Sequence, residues 1–189
     1  VNWVVFAIAS WVLFGCEVGL RDVLQLGDSS IAPSFVIPLL VFVALWARAG
    51  SALTVALLIG LTLDLIHTWP TERGQDIVIV GPWSFGCMLA AYTTLNLRTM
   101  MFRKSIITVA ILSVIGAAIA QIFGLALLTV RSTYDDILLP SAAAELWPRL
   151  ASSIYTGATA LLVAPVLQFI APWLGMRRAT GPAGALRFT

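Results

Sequence analysis

Six apolar stretches divide this chain of 189 residues, each close to the length a helix needs to cross a bilayer. That pattern constrains the fold more than any motif. An α-helix rises 1.5 Å per residue, so about 20 apolar residues cover the hydrocarbon core. The stretches fall at about 2–20, 31–47, 52–69, 77–97, 105–130 and 150–174. Only 11% of the residues are charged, whereas a soluble domain is nearer a quarter charged. So few charges cannot clothe a water-facing surface. The expected fold is an all-α integral membrane protein. A single six-transmembrane-helix bundle occupies 1–176, with a short basic tail over 177–189 and no separate soluble domain.

The positive residues set the expected orientation. Arg48 joins the second and third stretches, Arg98, Arg103 and Lys104 the fourth and fifth, and Arg177, Arg178 and Arg187 follow the sixth. With six spans all of these lie on one side, so both termini are expected in the cytoplasm (N-in/C-in). The remaining loops hold Arg21, Arg73, Arg131 and Arg149, and each contains more acids than bases. Five spans would put the basic clusters on opposite sides. No basic region precedes the first stretch and no small-residue cleavage site follows it, so it reads as a retained span, not a signal peptide. The net charge of +2 and the lack of a basic arm give no sign of nucleic-acid binding.

Small residues and prolines predict the packing. Gly116, Ala120 and Gly124 share one helix face, and Ser153 and Gly157 repeat the spacing; such stripes let helices approach closely. They read as internal packing faces before partner-docking ones. Pro33 is expected in the first turn of the second span, with kinks at Pro38, Pro82 and Pro165. A short interfacial helix is expected over 140–147. Trp3, Trp46, Trp69, Trp147 and Trp173 fall at span ends, as an interfacial belt does. Trp83 reads as belt or as the wall of a cleft.

Ionisable groups at membrane depth are the candidate functional residues, because each costs at least about 2.5 kcal/mol to insert. Asp64 lies about 12 residues into the third stretch, roughly 18 Å deep. His67 follows one turn later on the same face. Glu17 lies about 22 Å into the first stretch. If these spans are neighbours, the three form one polar cluster, with Gln121 and Thr62 nearby. Asp64 has two readings. It serves a cavity, a proton-sensitive site or a partner contact. Alternatively it accepts hydrogen bonds from backbone N–H groups or hydroxyls, or pairs with Arg73 or Arg21, and fixes the bundle. Glu17 reads as an acid close enough to the surface to snorkel.

Catalysis and cofactors are not expected. There is no G-x-S-x-G, no H-E-x-x-H and no glycine-rich phosphate loop. One histidine and two separated cysteines, Cys16 and Cys87, do not make a zinc site or a disulfide framework.

A resemblance enters at the second to fourth stretches. Ala32-Pro-Ser-Phe-Val-Ile-Pro-Leu-Leu-Val-Phe-Val-Ala-Leu45 resembles the second-helix region of the rod shape-determining protein MreD family. Gly60-x-x-x-Asp64-Leu65 is similar to that family's G-x-x-x-D-L signature. Ser84-Phe-Gly-Cys-Met-Leu-Ala-Ala-Tyr-Thr-Thr-Leu-Asn-Leu-Arg98 looks like the helix that follows. The likeness covers about 31–104. Thr68 to Val80 is longer than the family's short glycine-containing turn and carries Pro70; beyond Ser105 only hydropathy matches. The resemblance implies a non-enzymatic scaffold of the bacterial elongation machinery in the cytoplasmic (inner) membrane. It would pair with an MreC-like single-span protein and link MreB filaments to the glycosyltransferase and transpeptidase of lateral peptidoglycan synthesis. The family also resembles substrate-binding subunits of energy-coupling-factor vitamin transporters, six-helix bundles with a ligand pocket near the outer surface. A transporter subunit is therefore the alternative function.

Overall fold

Residues 36–45 are apolar on every side, and a helix that is apolar all round is surrounded either by protein or by lipid. In the computed structural model, which describes residues 2–27, 31–70, 76–99, 105–134 and 142–176, this segment is the central helix α3, Val36–Trp46. Every residue from Val36 to Leu45 is buried. Around it stand α1 (Trp3–Gly19), α4 (Ala49–Ile66), α5 (Pro82–Leu97), α6 (Ile106–Arg131) and α7 (Ala142–Ile170). A single turn, α2 (Arg21–Leu24), follows α1.

The long helices alternate in direction. The C-terminal end of α1 meets the start of α3, and the end of α4 meets the start of α5. At the opposite end the Asn2 N–H donates to the Leu174 carbonyl at 2.9 Å, so the first and last helices close on each other. The helices Ala49–Ile66, Ile106–Arg131 and Ala143–Ile170 are long and apolar enough to cross a membrane, and Trp3–Gly19 and Val36–Trp46 are shorter apolar helices. The chain is thus a helical membrane protein by length and composition.

Three boundaries differ from expectation, each for a local reason. The second stretch becomes helical only at Val36. Pro33 therefore precedes the helix. Pro38 lies in its first turn, where no intrahelical bond is lost, so the expected kink has no basis. Pro82 likewise opens α5 as its first residue, after Gly81 at φ +132°, and does not bend a longer helix. Thr68 and Trp69, expected at the end of the third span, and Ile77 and Val78, expected at the start of the fourth, instead belong to a hairpin, β1 (Thr68–Pro70) antiparallel to β2 (Asp76–Val78), with Trp69 opposite Ile77. Trp69 and Ile77 pack on Ile79 and Leu128. The helix expected from Leu150 begins at Ala142 and runs through Pro148, so the part of the expected interfacial helix that is described is the first turns of α7. Pro165 does sit inside α7, where it denies the Leu161 carbonyl its usual donor. The tail over 177–189 and most of the connection after Arg98 lie outside the described residues.

The small-residue stripe of α6 is an internal face. A side-chain carbon added at Gly116 would meet Ala90, one at Gly124 would meet Pro82, and one at Gly86 would lie 2.8 Å from the Ala120 carbonyl oxygen. Pro82, Gly86 and Ala90 recur every four residues on α5, so two stripes interlock along an antiparallel helix pair. Gly157 of α7 lies against Val114 of α6 in the same way.

Burying α3 leaves its end groups away from water, and side chains of other helices satisfy them. At its C-terminal end Nη1 of Arg98, the residue that follows α5, donates to the Ala47 carbonyl at 2.8 Å and to the Ala44 carbonyl at 3.3 Å. A cation here also complements the negative end of the helix dipole. Arg98→Ala is expected to cost about 1.5–3 kcal/mol, the range for hydrogen bonds to a charged group. Denaturant titration in detergent micelles checks this; a midpoint equal to wild type would assign the cap no role.

Candidate functional site

Two carboxylates organise one end of the bundle, and they do it in the same way. Glu17, near the end of α1, accepts at Oε2 from the Phe35 N–H (2.6 Å), the Val36 N–H (3.3 Å) and the Ser34 hydroxyl (3.1 Å). The Ile37 N–H donates to Ser34 Oγ at 3.3 Å, and Pro38 has no N–H. All four groups at the start of α3 are thereby accounted for. The Ser34 carbonyl, which Pro38 cannot serve, accepts from the Thr159 hydroxyl at 3.2 Å.

Asp64 repeats the device on α5. Its Oδ1 accepts from the Trp83 N–H at 2.8 Å. Its Oδ2 accepts from the Gly81 N–H (2.9 Å), the Ser84 N–H (3.0 Å) and the Ser84 hydroxyl (2.6 Å). Pro82 supplies the position without an N–H. Asp64 is 1% exposed, and all four neighbours are donors, a set that only an acceptor satisfies. In both cases a helix carries the acid, and the antiparallel helix it caps begins about one span later with a serine and a first-turn proline. The carboxyl oxygens also face the positive end of a helix dipole.

Gly60 makes the second cap possible. It lies one turn before Asp64 on the same face, under the start of α5. A carbon added there would sit 2.5 Å from Ser84 Cα and 2.7 Å from the Trp83 carbonyl oxygen. The Gly60-x-x-x-Asp64 pattern is therefore a helix crossing: glycine admits the neighbouring backbone, and aspartate holds it.

His67, the residue after α4, is oriented by its two nitrogens. Nδ1 lies 2.8 Å from the Leu63 carbonyl, which can only accept, so Nδ1 carries the proton. Nε2, at 3.2 Å from Arg21 Nη1, accepts from the guanidinium. This is the neutral imidazole. Its ring stacks on Trp83 with centroids 5.3 Å apart.

Beside these groups lies a cavity of about 140 Å³, lined by Glu17, Arg21, His67, Gln121, Glu145 and Arg149, with Trp69 and Trp83 in its walls. Arg149 of α7 lies over the Trp69 ring, 5.7 Å from its centroid, and Nη1 donates to Gln121 Oε1 at 3.3 Å. Its Nε is 3.4 Å from Glu145 Oε2, close enough for an ion pair, yet enclosed without an aligned hydrogen-bond acceptor.

The structure therefore divides the expected cluster. Glu17, His67 and Gln121 share the cavity; Asp64 does not line it. Asp64 and Arg21 are not a pair, since Arg21 meets His67, and Arg73 lies outside the described residues. Glu17 is directed at the α3 backbone and does not snorkel. Thr62 donates to the Leu58 carbonyl of its own helix. Trp83 lines the cavity. Sequence reasoning passed over Ser34, Ser84, Arg149 as a cavity group and Arg98 as a cap. One signal was present for the serines: a serine and a proline opening an apolar run about 17–20 residues after an intramembrane acid. No protein-family model, curated protein or solved structure matches the chain.

Proposed function

We propose that this chain is a non-enzymatic scaffold of the bacterial cell-elongation complex, similar to MreD, with six spans and both termini on the cytoplasmic side of the inner membrane. Such a protein pairs with an MreC-like single-span partner and through it connects MreB filaments to the lateral-wall synthases. The observation that carries this reading is the condition of the signature acid. All four hydrogen bonds described for Asp64 go to the start of α5, and Gly60 serves the same crossing. Residues that match the family signature are thus engaged in holding a bundle together, which suits a scaffold. Alternating helix directions and the meeting of Asn2 with Leu174 support an even number of passes. α1 supports the partner: Phe6 is its buried residue, while Trp11 is 81% exposed and Val4, Ile8, Val12 and Val18 are also uncovered.

The cavity favours a second reading, the substrate-binding subunit of an energy-coupling-factor-type transporter. One experiment separates the two. The tagged protein is purified from native membranes in mild detergent, and its companions are identified by mass spectrometry. An MreC-like protein, with or without wall synthases, is the expected companion. Recovery of ATP-binding-cassette subunits or a bound vitamin would replace the scaffold reading with the transporter one.

A further inference from the structure

The cavity concentrates charge in a chain that has little. Both described glutamates, Glu17 and Glu145, and two arginines, Arg21 and Arg149, line it. Part of their hydrogen-bonding capacity is already committed. The three bonds to Glu17 all fall on Oε2, and none of those described reaches Oε1. Arg149 is 12% exposed and has five N–H donors; one goes to Gln121, Nε is enclosed beside Glu145, and none of the bonds described uses Nη2. Gln121 uses its carbonyl oxygen on Arg149, which leaves its amide N–H groups to donate. Acceptor capacity thus remains at one wall and donor capacity at another, with equal numbers of acids and bases. A lone anion or a lone cation would leave one of these walls facing a like charge or an unmatched group, which is costly in a partly buried site. A group carrying both charges satisfies both walls. The volume, about 140 Å³, is close to the roughly 150 Å³ engineered cavity that takes a benzene molecule, so about six heavy atoms fit inside and a slightly larger group reaches out to the rim.

We propose that this cavity binds a small zwitterion, a primary ammonium and an oxyanion on a short spacer, as in the phosphoethanolamine group. The ammonium lies at Glu17 Oε1. The oxyanion lies at Arg149 and the Gln121 amide, with Arg21 at the rim. Trp69 holds the Arg149 guanidinium from behind. The assignment rests on these side chains and is independent of whether the protein is a scaffold or a transporter subunit.

The test uses the full chain in nanodiscs of equal phosphatidylethanolamine and phosphatidylglycerol, released for native mass spectrometry. A parallel arm adds soluble phosphoethanolamine to lipid-free protein in detergent and follows its melting temperature. Selective retention of phosphatidylethanolamine identifies a lipid headgroup as the source. A melting shift with the soluble compound, without selective retention, identifies a free ligand. Either result supports the site if Arg149→Gln weakens it about tenfold or more, the expected effect of losing one charge-assisted contact. Arg21→Gln, at the exposed rim, is expected to weaken it less and keeps the test decisive if Arg149→Gln does not fold. Equal retention of both lipids with no melting shift overturns the proposal. So does binding that neither variant changes.

Discussion

Asp64→Ala is expected to lower the stability of the folded bundle by roughly 3–5 kcal/mol, because four buried donors lose their acceptor at about 1–3 kcal/mol each before the structure relaxes. The alanine leaves the N–H groups of Gly81, Trp83 and Ser84 without their acceptor, together with the Ser84 hydroxyl. Water cannot replace it at this depth. Asp64→Asn is expected to lose about half as much. Its one oxygen still accepts, but its amide nitrogen is a donor among donors. The same alanine variant should insert into the membrane at least as well as wild type, because an acid opposes insertion by up to about 2.5–3.5 kcal/mol at a helix centre and by less in the last turn, where Asp64 lies. Insertion assays and thermal unfolding in detergent should therefore move in opposite directions. Unchanged unfolding in Asp64→Ala would mean that the cap contributes nothing.

Gly60→Ala, a single added methyl, is expected to cost about 3 kcal/mol. Its new carbon meets Ser84 Cα at 2.5 Å and the Trp83 carbonyl oxygen at 2.7 Å, and neither is a side chain that can rotate away. Overpacking of this kind costs about 1–3 kcal/mol, and moving α5 aside also lengthens the hydrogen bonds to Asp64. Two comparisons make the result specific. Gly15→Ala in α1, where nothing lies within 4 Å, should be neutral or stabilising by up to about 1 kcal/mol from helix propensity. The double variant of Gly60 and Asp64 should cost clearly less than the sum of the two, because both break one helix contact. Full additivity would show that glycine and aspartate act separately.

Apolar periodicity and length made the helices legible in the sequence, and small-residue spacing made the packing face of α6 legible. Asp64, Gly60, Glu17 and His67 stood out because charge or glycine in an apolar run is conspicuous. What they touch did not stand out. Glu17 and Asp64 each serve a different helix, and no local pattern encodes a partner that tertiary packing supplies. The prolines misled for a related reason. Pro38 and Pro82 look interior when a span is drawn by hydropathy, and become first-turn residues once the helix start moves to Val36 or Pro82. The hairpin of Thr68–Pro70 and Asp76–Val78 was hidden because three-residue strands are too short to show alternation beside long apolar helices.

The central helix bears on how the chain is made. α3 has 11 residues, about 16 Å, roughly half the thickness of the hydrocarbon. Its amino end is closed by Glu17, which leaves the ribosome before it. Its carboxyl end is closed by Arg98, which emerges about 50 residues after it. When α3 is first synthesised, then, one end already has its partner and the other does not. A short helix with open carbonyls is poorly suited to lipid, so α3 is expected to settle into the bilayer late, once α4 and α5 have been delivered beside it. Biogenesis of this bundle is therefore not a sequence of independent insertions. The innermost helix is completed by the arrival of a later one.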